Sequence, residues 1–271
     1  MAVTTLDQLL AAMLAPEDVM KEAFTGEAAN EWHSTFYVAG KPGPAVAPSP
    51  GLAGAALTSY AGQIPFPAPA ASKNVYLAGL DFTAGSGCGA MMLLDRLWHN
   101  SGIVVTTTTG QTINSTTWPA RDANGSTNGV GVGVGIEVST ATTNGAAVTN
   151  TTMSYTNSDG VAGRTGSIVS FPATAVAGTF VPFVLQAGDV GVRSIQTVTL
   201  GTSYGAGAIH LVAYRRAAPV SGRITAQVAI RFGPAEVGLP RWYDQSVPWM
   251  VYIITTTSVD RTVATISWAQ G

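Results

Sequence analysis

Residues 129–138 read GVGVGVGIEV, and this stretch is the clearest indicator of the fold. Glycine and valine alternate strictly, so an extended strand here carries branched side chains on one face and only hydrogen on the other. A bare face lets another backbone or a bulky aromatic ring approach closely. The stretch therefore predicts a tightly packed β-strand near 130–139, with a subunit interface as one candidate position.

The same glycines come close to the spacing of a nucleotide-binding glycine motif. That motif needs a preceding strand, a following helix and an acidic residue for the ribose. Here the glycines lie inside one period-2 pattern that continues through Ile136, Glu137 and Val138. Nucleotide binding is therefore disfavoured, and the sequence predicts no cofactor.

Similar β patterns extend over most of the chain from about Val75. Segments rich in Val, Ile, Thr, Tyr and Phe alternate with turn residues. They predict strands near residues 75–83, 90–98, 103–109, 130–139, 151–156, 166–171, 193–200, 207–216, 223–232, 249–257 and 262–268. Residues 91–98 fit a short helix almost equally well. Strands at this spacing without alternating helices predict an all-β fold, with an antiparallel jelly-roll or β-sandwich body over residues 75–271.

The N-terminal region differs from this body in charge. Residues 1–40 contain six acidic residues and one basic residue, Lys21, whereas residues 41–271 contain twelve basic and nine acidic residues. Residues 41–74 are rich in Pro, Gly and Ala, a composition that favours extended, polyproline-like chain. The sequence therefore predicts an N-terminal arm over residues 1–40 and an extended connector over residues 41–74.

The arm is predicted to be helical. Thr5 is a candidate N-cap, and Pro16 either ends the first helix or begins a second one from Glu17 to Ala23 or beyond. The apolar side chains on one face of so short a helix must be buried against another protein surface. Either the arm docks on its own body or in a subunit interface, or it anchors the chain to a different protein. The apolar residues at helical spacing are Leu6, Leu9, Leu10, Met13 and Leu14, with Phe24 on the second face.

Charge is scarce throughout the chain. Asp, Glu, Lys and Arg make up 10% of 271 residues, against about 25% in an ordinary soluble domain, and the mean hydropathy is +0.26. A free monomer normally stays soluble through a charged surface. The composition therefore predicts a building block of an assembly that binds copies of itself. The net charge of −2 favours neither nucleic acid nor membrane as a partner.

Residues with catalytic potential are few and dispersed. The single cysteine, Cys88, excludes an intrachain disulfide and agrees with synthesis in a reducing cytoplasm. It lies in a glycine-rich segment, and we interpret it as a small core residue rather than a nucleophile. The three histidines, His33, His99 and His210, follow no metal-binding spacing. The sequence therefore predicts neither a catalytic residue nor a metal ligand.

Ionic and aromatic residues supply the other candidate contacts. The adjacent pairs Asp95-Arg96 and Arg121-Asp122 are interpreted as local ion pairs or turn-fixing elements. Arg215 and Arg216 either bind an acidic partner or have structural roles. Trp242 and Trp249 belong to the densest aromatic cluster, where core or interface packing is the first interpretation. A carbohydrate-binding surface is the alternative, and it predicts that one of these two tryptophans is exposed in a groove.

Several strings of residues carry a family resemblance, namely LDRLWHNSG at 94–102, TWPARD at 117–122, TTMSY at 151–155 and PRWYD at 240–244. Over residues 80–260 or so, the chain resembles uncharacterised virion structural proteins encoded by tailed bacteriophages. The resemblance implies a particle component and assigns no site residues.

Together with the absence of a catalytic motif from the sequence, the resemblance leads us to expect a non-enzymatic virion protein, made in the cytoplasm of a host bacterium. We expect a homo-oligomer, with a trimer favoured by analogy, that decorates or cements the capsid. Its partners would be its own copies and the major capsid protein or another virion protein. A neck, tail or baseplate protein of the same particle is the alternative.

Overall fold

The computed structural model describes residues 5–25, 27–221 and 228–271. Residues 1–4, Gly26 and 222–227 lie outside the described residues, and the first part of the strand predicted over 223–232 therefore does too. The helices are α1 (Leu6–Ala12) and α2 (Pro234–Val237), with a 3₁₀ turn at Thr35–Tyr37. No helix among the described residues is long and apolar enough to cross a membrane.

The strands are β1 (Glu17–Lys21), β2 (Phe24–Thr25), β3 (Trp32–Ser34), β4 (Gly40–Lys41), β5 (Ala55–Ala56), β6 (Val75–Ala84), β7 (Cys88–His99), β8 (Gln111–Thr112), β9 (Val132–Thr140), β10 (Thr152–Asn157), β11 (Arg164–Ser167), β12 (Thr179–Pro182), β13 (Val192–Thr199), β14 (Ala208–Ser221), β15 (Val228–Phe232), β16 (Arg241–Trp242), β17 (Pro248–Ile254), β18 (Ser258–Val259) and β19 (Thr262–Gln270).

Six of these strands close into a barrel. β7, β14, β9, β12, β3 and β17 pair in this order, every pair antiparallel, and β17 pairs back onto β7. A barrel of so few strands encloses little space, so side chains fill its interior. The buried apolar residues of this interior are Phe36, Met92, Leu94, Phe180, Val212, Trp249 and Val251.

Besides the two-stranded sheet of β2 and β18, two larger sheets pack on the outside of the barrel. One has the order β15-β6-β19-β1-β4, with β16 beside β6, and the other has the order β11-β10-β13-β8. Alternate residues of the barrel strands serve different cores, as expected for period-2 strands. In β7, Met91 and Leu93 join the core under the first sheet. In β9, Val134 and Ile136 join the core under the second. The predicted all-β, antiparallel class is confirmed.

The glycine-valine stretch forms β9, as the alternation predicts. Val132, Val134 and Val138 are buried, whereas Gly133 and Gly135 face aromatic rings from the neighbouring strands β14 and β12. A Cβ added to Gly133 would lie 2.8 Å from the Cζ atom of Tyr214, and a Cβ added to Gly135 would overlap the ring of Phe180. The interpretation that the bare face accommodates aromatic rings is therefore confirmed.

The second helix predicted from Glu17 to Ala23 is wrong. Residues Glu17–Lys21 form β1, which pairs antiparallel with β19 from Glu17 opposite Ile266 to Lys21 opposite Thr262. The segment is extended because β19 offers it a free edge, and Val19 is buried with 1% exposure. Helix α1 precedes it with Thr5 as N-cap, since the Thr5 hydroxyl accepts a hydrogen bond from the Gln8 amide at 3.2 Å.

Two other strand predictions need comment. Residues 91–98, which fitted a helix almost equally well, belong to β7. The strand predicted at residues 103–109 is wrong, because the segment turns, with the Thr107 amide donating to the Val104 carbonyl at 3.1 Å. Its apolar residues Ile103 and Val105 are buried without a neighbouring strand to pair with. These two apolar side chains are therefore buried without their backbone forming part of a β-sheet.

Candidate functional site

The barrel interior holds an ion pair that is closed off from solvent. Arg96 on β7 donates to both carboxylate oxygens of Glu137 on β9, at 2.9 and 2.7 Å, and both side chains are 0% exposed. The Tyr37 hydroxyl donates to the same carboxylate at 3.0 Å. The guanidinium lies 4.5 Å from the ring centroid of Phe36. The pair thus fixes β7 against β9 across the barrel.

Burial alone would favour the neutral form of both groups. The ion pair outweighs burial, so the pKa of Arg96 is raised and the pKa of Glu137 is lowered. Both groups are therefore charged inside the barrel, where an unpaired charge would be very costly. The pair has a structural role that depends on both partners being present.

Two histidines lie close to this pair and are held neutral. Burial, followed by the charge of Arg96, lowers the pKa of His99 to about 3. Burial lowers the pKa of His210 as well. The His210 ring lies between the Asn100 carbonyl at 2.8 Å and the Ser139 hydroxyl at 2.7 Å. Within the described ranges, no group of three His, Cys, Asp or Glu side chains could hold a metal ion.

A second buried cluster surrounds Asp95. Arg121 donates to its carboxylate at 3.1 Å, and the Ser246 hydroxyl donates to it at 2.9 Å. The Nη2 atom of Arg215 lies 3.8 Å from the same carboxylate. The interpretation of Asp95-Arg96 and Arg121-Asp122 as local ion pairs is therefore wrong, because each arginine pairs with a carboxylate from another strand or loop.

Asp122 does stabilise a turn, which confirms the second interpretation of the Arg121-Asp122 pair as a turn-fixing element. Its carboxylate accepts hydrogen bonds from the backbone amides of Asn124, Ser126, Gly129 and Val130 at 2.7–3.0 Å. These bonds and that of the Ser126 hydroxyl lower the pKa of Asp122 against the opposing effect of burial. The carboxylate thus organises the loop that leads into β9.

The predicted arginine and tryptophan contacts lie mainly inside the molecule. Arg215 is 6% exposed, Trp242 and Trp249 are each 1% exposed, and Arg216 is exposed. The Trp249 indole donates to the Ser34 hydroxyl at 2.9 Å. The expectation that Trp242 or Trp249 is exposed in a groove is wrong, because both pack in apolar cores. A role for these residues in partner binding stays a prediction.

Cys88 is buried with 0% exposure. Burial raises the pKa of its thiol to about 12, and the sulfur lies 3.4 Å from the Ala90 carbonyl oxygen. A thiol with a pKa this high is almost entirely protonated at neutral pH. The interpretation of Cys88 as a core residue is confirmed.

Helix α1 presents apolar side chains to solvent. Leu6 is 69% exposed, Leu10 is 62% exposed and Met13 is 36% exposed; we call these three residues the helix stripe. Leu9 is only half-buried, and Phe24 packs inside the chain, stacked on His33 at 4.0 Å between ring centroids. Of the predicted apolar stripe, Leu14 thus packs on the chain's own body, whereas Leu6 and Leu10 do not. The exposed side chains of the helix stripe could then be buried either in a subunit interface or against a different protein.

The helix is attached to the body by backbone hydrogen bonding rather than by this stripe. The Leu14 amide donates to the Trp268 carbonyl at 2.8 Å, and Met13 forms an isolated bridge with Ala269. Leu14 packs against the core under the sheet that contains β19. The outward direction of the stripe is thus set by the strand-like segment that follows the helix.

The surface is poorer in charge than the composition indicates. Of the 13 basic and 15 acidic side chains, at least eight are buried, namely Lys21, Glu27, Asp95, Arg96, Arg121, Asp122, Glu137 and Arg215. Several valines are exposed instead, among them Val46 at 70%, Val169 at 76% and Val190 at 63%. The accessible surface of 11060 Å² matches the value of about 11,000 Å² for a compact monomer of this mass. The exterior is therefore compact and weakly charged.

Comparisons with known proteins add little to this geometry. No protein family model matches the sequence, and no curated protein matches it. Among solved structures, the chain is similar to a chain in the structure of infectious bursal disease virus, Gt strain. The sequence identity is 10% and the TM-score is 0.19, and the match covers 94% of this chain and 81% of that chain.

A similar match is the VP2 subviral particle of the same virus, at 10% identity, with a TM-score of 0.16, covering 95% of this chain and 81% of that one. TM-scores this low carry no argument about fold or function. The class of the protein therefore comes from its own structure, which is a closed antiparallel barrel flanked by two sheets.

Proposed function

We propose that this chain is a non-enzymatic structural component of a tailed-phage virion. It assembles as a homo-oligomer, with a trimer favoured, and decorates or cements the capsid. The observation that carries the proposal is the placement of charge: many of the few ionic side chains are buried, while leucines and valines are exposed. The motifs at residues 94–102, 117–122 and 240–244 support a virion protein through their family resemblance.

The attachment would be mechanical. Burying apolar surface against a neighbour contributes about 25 cal/mol per Å², from which the cost of association must be subtracted. The helix stripe supplies exposed leucines on a short element whose backbone is anchored to β19. A second contact of this kind on each copy would raise the overall affinity through effective concentration.

The test begins with the purified full-length chain. We expect a homo-oligomer in analytical ultracentrifugation, and co-sedimentation with particles that lack the protein. A monodisperse monomer at high concentration that stays unbound in the presence of particles would refute the proposal. A particle reconstruction then distinguishes capsid decoration from a neck, tail or baseplate position.

The contribution of helix α1 is tested by substitution rather than by deletion of residues 2–30. The deletion would remove β1, which pairs with β19, together with the buried side chains of Lys21 and Glu27. The substitution of Leu6 and Leu10 by Gln changes only exposed side chains and is the sharper variant. Loss of particle binding with an unchanged fold would assign the contact to helix α1.

A further inference from the structure

A groove with a volume of about 650 Å³ lies between the loop of residues 63–74 and the turn of residues 244–246. Its wall carries one aromatic ring, that of Phe66, which is half-buried. Amide, hydroxyl and charged groups surround this ring. The residues used in the argument are Gln63, Phe66, Lys73, Asn74, Asp244 and Gln245.

Two tryptophans lie directly behind Phe66. Its ring centroid is 5.5 Å from that of Trp268 and 6.2 Å from that of Trp242, and the two indoles are 5.3 Å apart. Both tryptophans are at most 1% exposed. Among the described residues, neither indole N–H has a hydrogen-bond partner. Buried donors without an acceptor are rare in folded proteins, so the core behind Phe66 is unusual in holding two of them.

The loop that carries Phe66 is held at its ends. The Ile64 amide donates to the Pro248 carbonyl at 2.8 Å, and the Ala70 amide donates to the Gln270 side-chain oxygen at 2.9 Å. Residues 65–69 read PFPAP, so three of the five lack an N–H group. No backbone hydrogen bond of the described chain holds this segment between its anchors. Between these anchors Phe66 is held by packing against the core rather than by backbone hydrogen bonds.

The two lips of the groove also share an unusual backbone conformation. Ser72 has φ of 64° and Gln245 has φ of 63°, a left-handed region that residues other than glycine rarely adopt. Such conformations persist where the surrounding structure imposes them, and they cluster at ligand sites. Both side chains are exposed at the groove.

We propose that this groove is a saccharide-binding site. Phe66, backed by Trp242 and Trp268, supplies an apolar surface for a sugar ring. The side-chain amides of Asn74 and Gln245 both donate and accept, which suits hydroxyl groups. The Gln63 side chain adds its NH₂ donor, since its oxygen already accepts from the Tyr60 amide at 2.6 Å.

The charges of the rim favour a neutral ligand. Lys73 and Asp244 oppose each other in sign, so the groove has no excess charge to select an anion or a cation. The site goes beyond the proposed assembly role and does not depend on it. Trp242 contributes here from behind a ring, rather than as an exposed platform.

The experiment uses the full-length protein and a printed array of bacterial-surface oligosaccharides as the probe. We expect binding to at least one array member, and a change in tryptophan fluorescence when that oligosaccharide is titrated in solution. The variants Asp244→Ala and Phe66→Ala should weaken this binding by roughly tenfold or more. Asp244 is exposed, so its substitution tests the site even where Phe66→Ala disturbs the loop.

The matched control is Val169→Ala, which changes a side chain that is 76% exposed and does not line this groove. The control should bind as the unmodified chain does. An array without a single bound oligosaccharide would overturn the proposal. So would binding that Asp244→Ala and Phe66→Ala leave unchanged, because the saccharide would then bind elsewhere.

Discussion

The barrel interior and helix α1 reverse the usual distribution of side chains. Inside the barrel, Arg96 and Glu137 are charged and 0% exposed. On helix α1, Leu6 and Leu10 are apolar and more than half exposed. Soluble proteins seldom bury Arg or Glu fully, and do so only when the charge is paired. The chain therefore places part of its few charges inside its own fold, while leucines and valines are exposed on its exterior.

The largest expected effect follows from breaking the pair inside the barrel. Glu137→Gln leaves the Arg96 guanidinium buried without a counter-charge. Removing one partner of a buried pair costs about 3–5 kcal/mol in free energy of unfolding. We expect a loss of this size in equilibrium unfolding with urea. The double variant Arg96→Met/Glu137→Met should recover most of the loss, since it leaves no charge behind.

The matched control for this prediction is Glu22→Gln. Glu22 accepts from Arg261 at 2.8 Å, but the two side chains are 41% and 59% exposed. Exposed pairs contribute about 0–1 kcal/mol, so this variant should unfold almost as the unmodified chain does. Equal losses for Glu22→Gln and Glu137→Gln would contradict the structural role assigned to the buried pair.

A smaller loss is expected on the glycine face of β9. A Cβ at Gly135 would overlap the ring of Phe180 inside the barrel, so Gly135→Ala should cost about 1–3 kcal/mol through overpacking. Gly145→Ala is the control, because nothing lies within 4 Å of a Cβ at that position. Thermal unfolding of both variants measures the difference. If Gly135→Ala left thermal unfolding unchanged, the barrel would contain space that the aromatic rings do not fill.

The sequence predicts the class of fold better than the pairing within it. The alternation in residues 129–138 predicts β9 because period 2 is a local property of the chain. Arg96 pairs with Glu137, 41 residues away, rather than with the adjacent Asp95, and this choice depends on how the barrel closes. Strand β1 could not be predicted for the same reason, because it forms by pairing with β19, which lies at the other end of the chain.

The helix stripe was predictable only in part. The spacing of Leu6, Leu10 and Met13 predicts a helix, and the described helix begins at Leu6. Which side faces solvent depends on the bridge between Met13 and Ala269, a contact that local periodicity does not contain. The position of Trp242 behind Phe66 is likewise a product of tertiary packing.

A third effect, smaller and dependent on pH, is expected at Lys21. Its ammonium donates to the carbonyls of Val38 and Pro42 at 3.1 and 2.9 Å, and burial lowers its pKa from 10.5 to about 8. Between these two values the unfolded chain binds more protons than the folded chain. The free energy of unfolding therefore rises with pH across this window, by at most about 1.4 kcal/mol per pH unit.

The Lys21→Met variant lacks this titrating group, so the difference between the unmodified protein and the variant measures the contribution of Lys21 alone. Urea unfolding of both proteins at pH 7, 8, 9 and 10 should show the unmodified chain gaining stability relative to the variant as the pH rises. Other groups that titrate in this range are common to both proteins and cancel in the difference. Parallel pH profiles would show that Lys21 has the same pKa in the folded and unfolded chains.

The smallest effect on folding is expected at the helix stripe, and there the comparison between interior and exterior is sharpest. Leu6→Gln/Leu10→Gln should change the free energy of unfolding by only about 0.5 kcal/mol, because both side chains are already exposed and Gln is a good helix former. Self-association or particle binding, measured by sedimentation, should nevertheless fall. Val46→Gln alters a side chain that is 70% exposed on another segment and should leave association intact. If Val46→Gln weakens association as much as the helix variant does, the exterior acts through its general lack of charge rather than through helix α1.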